Sequence, residues 1–451
     1  MIIFFELSRE YFEWLREAIE NERAEEIKTS LQDANPADIA SLLDNLNTVE
    51  SKYILKLLEE ERSAEVISYI EEDERKNFLK AFAPNEVARF ITHIDSDDAA
   101  DILNDLPVKF KEEVIAALDN EEQAAYILEL MKYEEDCAGG LMAKELIRAN
   151  VNWTVAQTIE EIRRQKENVE KVYSVYVVDN QNRLLGIIPL KNIILSDDNT
   201  RIADIYDPDI VSVETFMDEK EVAAIMQKYD LEVAPVVNVK GKLVGRITVD
   251  DIIDVITEMA EEERQIMSGI SEDVEEDDSV WVLTRARLPW LIVGMVGGLI
   301  GAQIIGVFEE SIILIPAMAF FIPLITATGG NVGIQSSSIV VQSLANNQKY
   351  YGTVFNRIFK VFLVAAINGV ALATAVFAIN HFILGHPNAI AAIVSIALFS
   401  VVMLASFLGT FVPILLEKFG VNPAVASGPF ITTANDILGL AVYFTVAHIL
   451  M

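Results

Sequence analysis

The sequence is short of cysteine, histidine and positive charge. Cys137 is its single cysteine, so it has no intrachain disulfide framework and no multi-cysteine zinc site. Four histidines stand far apart, at 93, 381, 386 and 448, and no catalytic constellation forms around them. No GxxxxGK[ST] phosphate loop occurs, which argues against a machine driven by nucleotide hydrolysis. Lys and Arg number 35 against 69 Asp and Glu, for a net charge of −34. A phosphate backbone is held by a basic face, so nucleic acid is not an expected partner; cations are. The first 20 residues are acidic and lack the pattern of a signal peptide.

What is abundant is apolar residues, 52% of 451, in a chain long enough for about three domains. The two kinds of residue are segregated. From 281 to the end there are six Lys/Arg and four acids, a net of +2; the first 280 residues hold the other 29 and 65, a net of −36. In the near-neutral part, apolar runs exceed the ~20 residues that cross a bilayer. Five spans are expected near 286–307, 312–341, 354–380, 389–415 and 424–450, the second with a possible break at Gly329-Gly330. Arg285, Arg287, Lys349, Arg357, Lys360 and Lys418 fall on one side of these spans, while Glu309-Glu310, His381 and His386 fall on the other. By the positive-inside rule the acidic half is cytoplasmic and the C-terminus outside.

Residues 1–130 read as short amphipathic helices with an acid or Asn at their starts, as at Asn35, Asn85, Asp97 and Glu121, the pattern of a small all-helical superhelix. Residues 131–256 change texture. VYVVDNQNRLLGIIPLKNII, from Val175, matches APVVNVKGKLVGRITVDDII, from Ala234, at an offset of 59. Each copy reads strand, turn, strand, helix, with a further helix ahead of it. This resembles a tandem pair of cystathionine-β-synthase (CBS) domains, which implies an adenine-nucleotide site with a Thr/Ser and, three residues later, an Asp at the ribose. Thr248 and Asp251 fit that pattern; Pro189 and Asn192 of the first copy depart from it. A packed dimerisation scaffold is the alternative. Residues 257–280 form an acidic connecting helix ahead of the membrane domain, 281–451.

Asp436 is the one acid inside an apolar span, and no Lys or Arg is placed deep enough to pair with it. Such a charge costs about 2.5–3.5 kcal/mol at mid-membrane on insertion scales and usually faces a water-filled path. Protonation in a structural role is the other possibility. A single carboxylate serves a divalent ion poorly, but two across a two-fold axis supply twice the charge, so a homodimer is expected. Magnesium keeps several waters and needs few carboxylates. Oxygen groups near Asp436 suit it: Asn422, Ser427, Thr432, Thr433 and Asn435, with carbonyls freed at Gly428-Pro429. Asn331 and Gln335, four apart beside Gly329-Gly330 and Gly333, suggest a polar pathway in the second span; close helix packing is the plainer reading of the glycines.

Five stretches together resemble the MgtE family of magnesium transporters over nearly the full chain. They are Asp97-Asp98-Ala99-Ala100-Asp101 through Asp105-Leu106-Pro107; Tyr133 to Met142; the CBS pair; Pro323 with Gly330-Asn331-Val332-Gly333-Ile334-Gln335-Ser336; and Asn422-Pro423-Ala424 with Gly428-Pro429, Thr432-Thr433, Asp436 and Gly439. The resemblance implies a multidomain fold: a helical N-terminal domain, an α/β CBS pair, a connecting helix and a five-helix membrane bundle. It implies a homodimeric, Mg2+-selective channel-like protein of the plasma (inner) membrane, closed by cytosolic Mg2+, with ATP as a second ligand at the CBS pair. Asp436 then matches the pore carboxylate, with carbonyls near Thr432. The implied regulatory acids are Glu65, Asp97 and Asp101; Glu219, Asp250 and Asp254; and Glu258, Glu261 and Glu262. Cys137 stands where the family usually has Thr or Ser, and Asn422 where it often has Asp. A Na+- or H+-coupled exchanger and a membrane-anchored nucleotide sensor remain the competing readings.

Overall fold

The computed structural model describes residues 8–165, 172, 174–271, 274, 278–345, 354–426 and 428–450. Lys349 and Ser427, and the side chain of Arg357, lie outside the described residues. The chain divides into two compact units, Met1–Ile256 and Thr257–Met451.

The first unit opens with ten helices: α1 (Arg9–Glu20), α2 (Ala24–Leu31), α3 (Pro36–Leu43), α4 (Thr48–Leu57), α5 (Glu60–Ser68), α6 (Glu72–Leu79), α7 (Pro84–Ile91), α8 (Ser96–Asn104), α9 (Val108–Ala116) and α10 (Glu121–Leu130). Local chemistry starts them. Asn35, Asn47 and Asn120 each accept from backbone N–H groups of the first turn. Pro36 and Pro84 occupy first helical positions, where no N–H is needed. Three starts differ from the sequence reading by one or two residues. α7 begins at Pro84 rather than Asn85, Asp95 rather than Asp97 precedes α8, and Asn120 rather than Glu121 caps α10. The apolar faces bury Leu15, Ile27, Ile39, Leu42, Ile54 and Ile67.

The CBS pair follows: β1 (Arg148–Asn150), α11 (Val155–Arg164), β2 (Ser174–Val178), β3 (Leu184–Pro189), α12 (Leu190–Leu195), β4 (Val213–Glu214), α13 (Glu219–Tyr229), β5 (Val233–Val237) and β6 (Leu243–Thr248). The strands form two three-stranded sheets, β1-β2-β3 and β4-β5-β6, each with one parallel and one antiparallel pair. The repeat extends to register. Val175 pairs Ile188 and Ala234 pairs Ile247, and the irregularity at Val177/Val178 recurs at Val236/Val237. Val155, Val175, Val177, Ile188, Ile193 and Ile202 are buried together in the first copy.

α14 (Val249–Met267) leaves β6 without a break, so the connecting segment is a continuation of the last CBS helix, not a separate one from 257. The second unit takes α14 from Thr257 and continues with α15 (Val280–Val307), α16 (Glu309–Leu314), α17 (Ile322–Ala345), α18 (Val354–Ala378), α19 (Asn388–Lys418) and α20 (Pro429–Leu450). Among the described residues, five helical segments are long and apolar enough to cross a membrane. α17 runs unbroken through Gly329-Gly330. The interruption lies earlier, at Ile315 before the 3-10 turn Pro316–Phe321, where Pro316 lacks the N–H that would continue α16. The core packs Val394, Leu398 and Val401 of α19 against Tyr443 and Phe444 of α20. Tyr443 stays satisfied there by donating to Met318 O at 2.8 Å.

Candidate functional site

The membrane site is built around the first turns of α20. Gly428, at φ +58°, takes a left-handed conformation that β-carbon-bearing residues resist, and Pro429 starts the helix after it. The carbonyl freed by this break is not left open. Thr432 donates to Gly428 O from its backbone N–H (3.0 Å) and from Oγ1 (2.9 Å). Glycines let α20 sit close to its neighbours. A Cβ on Gly330 of α17 would stand 3.3 Å from the Thr432 methyl, and one on Gly297 of α15 would stand 2.0 Å from the Thr433 methyl. Asp436 follows Thr432 by four residues and Thr433 by three, so at 100° per residue it lies between them, on the face flanked by α15 and α17. It is half-buried. Among the described residues no hydrogen bond or ion pair ties up its carboxylate.

Asn331 and Gln335 are exposed on α17, on the side turned away from the glycines that meet α20. They occupy a different face of α17 from the glycines that approach α20. The reason is angular. The close approach to α20 uses Gly330 and Gly333, and residues 331 and 335 point elsewhere on the same helix. Asn422 caps the turn before α20, its Oδ1 accepting from Ala424 N at 2.9 Å. The end of α14 reaches this region. A Cβ on Gly428 would stand 2.1 Å from Met267 O, one on Gly269 would stand 2.5 Å from Pro429, and Ser271 N donates to Ala286 O at 3.0 Å.

The second constellation lies within the first unit. α8 presents Asp97 and Asp98 to the start of α14, with Asp250, Asp251 and Asp254, while Asp101 on the same helix lies near Glu135 and Asp105. The juxtaposition is held by pairs around it. Ser96 donates to Glu145 Oε2 from N (3.3 Å) and Oγ (2.8 Å), Arg246 reaches Asp95 at 3.6 Å, and Lys144 reaches Glu129 at 2.8 Å. Asp97 is 7% exposed, and among the described residues its Oδ1 has no hydrogen-bond partner. Burial raises its carboxyl well above the usual range, and Asp98 and Asp251 add to the effect. Asp98 is pushed up to about 6 by crowding, then by Asp95, with Asp250 and Asp254 further contributors. Asp101 is pushed up to about 7 by crowding and by Glu135. Asp98 and Asp101 nonetheless keep solvent-accessible edges, so both are crowded and reachable. Asp254 is raised by burial and by Asp250.

Other expected acids are placed apart. Glu65 lines a cleft of about 900 Å3 shared by the helical and CBS parts, with Glu61, His93, Tyr126, Lys144 and Arg148. Glu219 opens α13, its N–H donating to Asp136 O. Glu258, Glu261 and Glu262 continue along α14, where Arg264 pairs with Glu261 at 3.8 Å. Among the described residues no three carboxylate, His or Cys groups converge as a ready-made metal ligand set. Sequence reasoning passed over Asp98, Glu145 and Asp251 as members of the acid cluster. The spacing of 97, 98 and 101 on one helix was available as a signal; nothing local announced that α8 meets α14.

Thr248 and Asp251, the pair expected at a ribose, are bonded to each other in the second CBS copy. Thr248 donates to Asp251 Oδ2 from both its N–H and its hydroxyl at 2.8 Å, which leaves Oδ1 outside that pair. Cys137 is buried, its thiol donating to Glu134 O at 3.1 Å.

These features define a multi-pass membrane protein that carries an acidic helical domain and a CBS pair. Family models match along the chain: divalent cation transporter over 322–446, MgtE intracellular N domain over 34–136, and CBS domain over 138–197 and 202–258. The chain is 32% identical to the magnesium transporter MgtE of Thermus thermophilus, over 97% of this chain and 98% of the relative. It is 30% identical to that of Bacillus subtilis, over 92% and 95%. A solved cytosolic domain of the Mg2+ channel MgtE in complex with ATP superposes with a TM-score of 0.51 at 35% identity, covering 53% of this chain and 98% of that one. The soluble part of a magnesium transporter gives 0.51 at 32%, covering 56% and 98%. The chain belongs to the MgtE family of divalent cation transporters. It is accordingly a transporter and not an enzyme.

Proposed function

We propose that this chain carries Mg2+ across the plasma (inner) membrane as a homodimeric, Mg2+-selective channel that cytosolic Mg2+ closes. The observation that carries the reading is Asp436. It is a half-buried carboxylate on a membrane helix, with no partner among the described residues, at the level where α15 and α17 both flank α20. The charge is retained at a cost of several kcal/mol, which a passing cation offsets. A hydrated divalent ion suits one carboxylate per subunit with neutral oxygens around it. Exposed Asn331, Gln335 and Gln342 on α17 would be solvated or covered by a second copy, which supports the homodimer. The acidic half faces the cytoplasm in this reading, and the C-terminus lies outside.

Closure follows from the acid cluster. Asp97 and Asp98 repel Asp250, Asp251 and Asp254, and Asp101 repels Glu135, until cations lie between them. Mg2+, bound largely through its waters, relieves that repulsion and needs no three-ligand pocket. α14 carries Asp250, Asp251 and Asp254 near its start, and within the second unit its C-terminal end lies against Gly428 and Pro429. Glu258, Glu261 and Glu262 would collect further ions along it; Glu65 and Glu219 are the remaining regulatory acids. Thr248 and Asp251 would hold the ribose of an adenine nucleotide, a ligand named in the solved relative. Because Asp251 serves both the ribose and the acid cluster, it is the residue through which nucleotide and Mg2+ would meet.

The deciding experiment is recording from the reconstituted chain. Reversal potentials that follow the Mg2+ gradient alone, with current lost in Asp436→Ala, are expected. A reversal potential set by Na+ or H+ would establish an exchanger instead. Mg2+ uptake by Asp436→Ala at the rate of the parent chain would remove the pore role.

A further inference from the structure

Asn435 is a membrane residue that the pore reading leaves unused. It stands one position before Asp436 on α20 and is 2% exposed. Among the described residues, neither its amide nitrogen nor its amide oxygen has a hydrogen-bond partner. Burial in that condition works against packing, because both atoms have given up water for nothing. A leucine would fill nearly the same volume without the penalty. The side chain fits only because its neighbour is glycine. A Cβ on Gly333 of α17 would stand 1.9 Å from Asn435 Nδ2 and 2.9 Å from Ile431 Cγ2. The same position is pressed from behind, since a Cβ on Gly409 of α19 would stand 2.4 Å from Gly333 O. α17 is thus held between α19 and α20 at a bare stretch of backbone, with the Asn435 carboxamide in the seam.

Parting of these helices far enough to admit water or the hydration shell of an ion would give that amide partners. A group unsatisfied in the closed seam and satisfied in the parted one lowers the cost of parting. We infer that Asn435 is a positioning residue for cation passage: its carboxamide, unpartnered between α17 and α20, favours the parted seam through which an ion moves past Asp436. The inference rests on Asp436 being the pore carboxylate. It concerns opening, so it governs the rate at saturating cation. The half-saturating concentration, set at Asp436, stays where it is.

The test is Mg2+ uptake into liposomes carrying the full chain, with thermal unfolding of the same preparations. Asn435→Leu is expected to lower the maximal rate by about tenfold, the factor equivalent to roughly 1.4 kcal/mol. Half-saturation should be unchanged, and the unfolding midpoint equal or higher. Asn435→Ser and Asn435→Ala differ by a single hydroxyl and neither can clash with Gly333. Ser is expected to transport at least about threefold faster than Ala, a shift in the open population that a role in filling space would not produce. Equal rates for Ser and Ala overturn the inference, as does a Leu variant as fast as the parent. The Ser and Ala pair decides the matter if the Leu variant does not fold. Asp436→Asn in the same assay separates the two readings. Normal uptake there removes the pore carboxylate itself, whereas lost uptake there with equal Ser and Ala rates removes the role of Asn435 alone.

Discussion

At the scale of single residues, the functional positions are those where ordinary preferences are overridden. Gly428 is such a position. Its φ of +58° and the 2.1 Å approach of Met267 O to its missing Cβ leave no room for a side chain. Gly428→Ala should cost about 1–3 kcal/mol through the left-handed strain alone. It should also separate the end of α14 from the start of α20. Thermal unfolding would report the first effect, and weaker inhibition of uptake by internal Mg2+ the second. Asp98 is another such position. Like charges surround it, so Asp98→Asn should raise the unfolding midpoint in EDTA and shrink the further rise on adding Mg2+. An unchanged response to Mg2+ would take Asp98 out of the ion site.

At the scale of elements, sequence and structure agree where a pattern is local. The five spans were legible because twenty consecutive apolar residues have few alternatives to crossing a bilayer. The CBS repeat was legible at an offset of 59, and the structure carries that offset into strand register and a shared irregularity. Helix starts were read less well, because Pro84 and Asn120 outcompete the neighbouring acids and amides that looked equally suitable. The Gly329-Gly330 pair was read as a weak point in α17. It is instead where α17 lies close to its neighbours, Gly329 near Val401 of α19 and Gly330 near Thr432 of α20, and the helix runs through it unbroken. The continuity of α14 was also missed, since nothing in residues 249–267 marks an end. Two helix breakers within α14, such as Pro at Thr257 and Gly at Glu258, should leave transport intact and abolish its inhibition by Mg2+. The comparison to make is uptake at low and high internal Mg2+.

At the scale of the molecule, the charge imbalance becomes a dependence on pH and on cations. Asp98, Asp101 and Asp251 titrate near 6, 7 and 6 in the folded chain, against 3.8 for a free aspartate. Between those limits the folded protein holds protons that the unfolded chain has lost. Stability must therefore fall as pH rises through the window, the reverse of a carboxylate stabilised by a salt bridge. In EDTA the unfolding midpoint of the full chain should drop between about pH 4 and pH 7, and millimolar Mg2+ should flatten the slope by holding the carboxylates ionised. A slope that Mg2+ leaves untouched would show that protons and Mg2+ act at different groups.

Composition and order along the chain were enough to divide it into an acidic half of −36 and a membrane half of +2, to count the spans, and to single out Asp436. Each of these rests on residues close in sequence, where hydropathy and period act directly. The meeting of Asp97 and Asp98 with Asp250, Asp251 and Asp254 rests on residues some 150 positions apart, brought together by the Ser96–Glu145 and Asp95–Arg246 contacts. The exposure of Asn331 on α17, and the burial of Asn435 against Gly333, were likewise set by which helix faces could approach most closely. Close packing between distant segments is a property of the whole fold, and no local pattern encodes it.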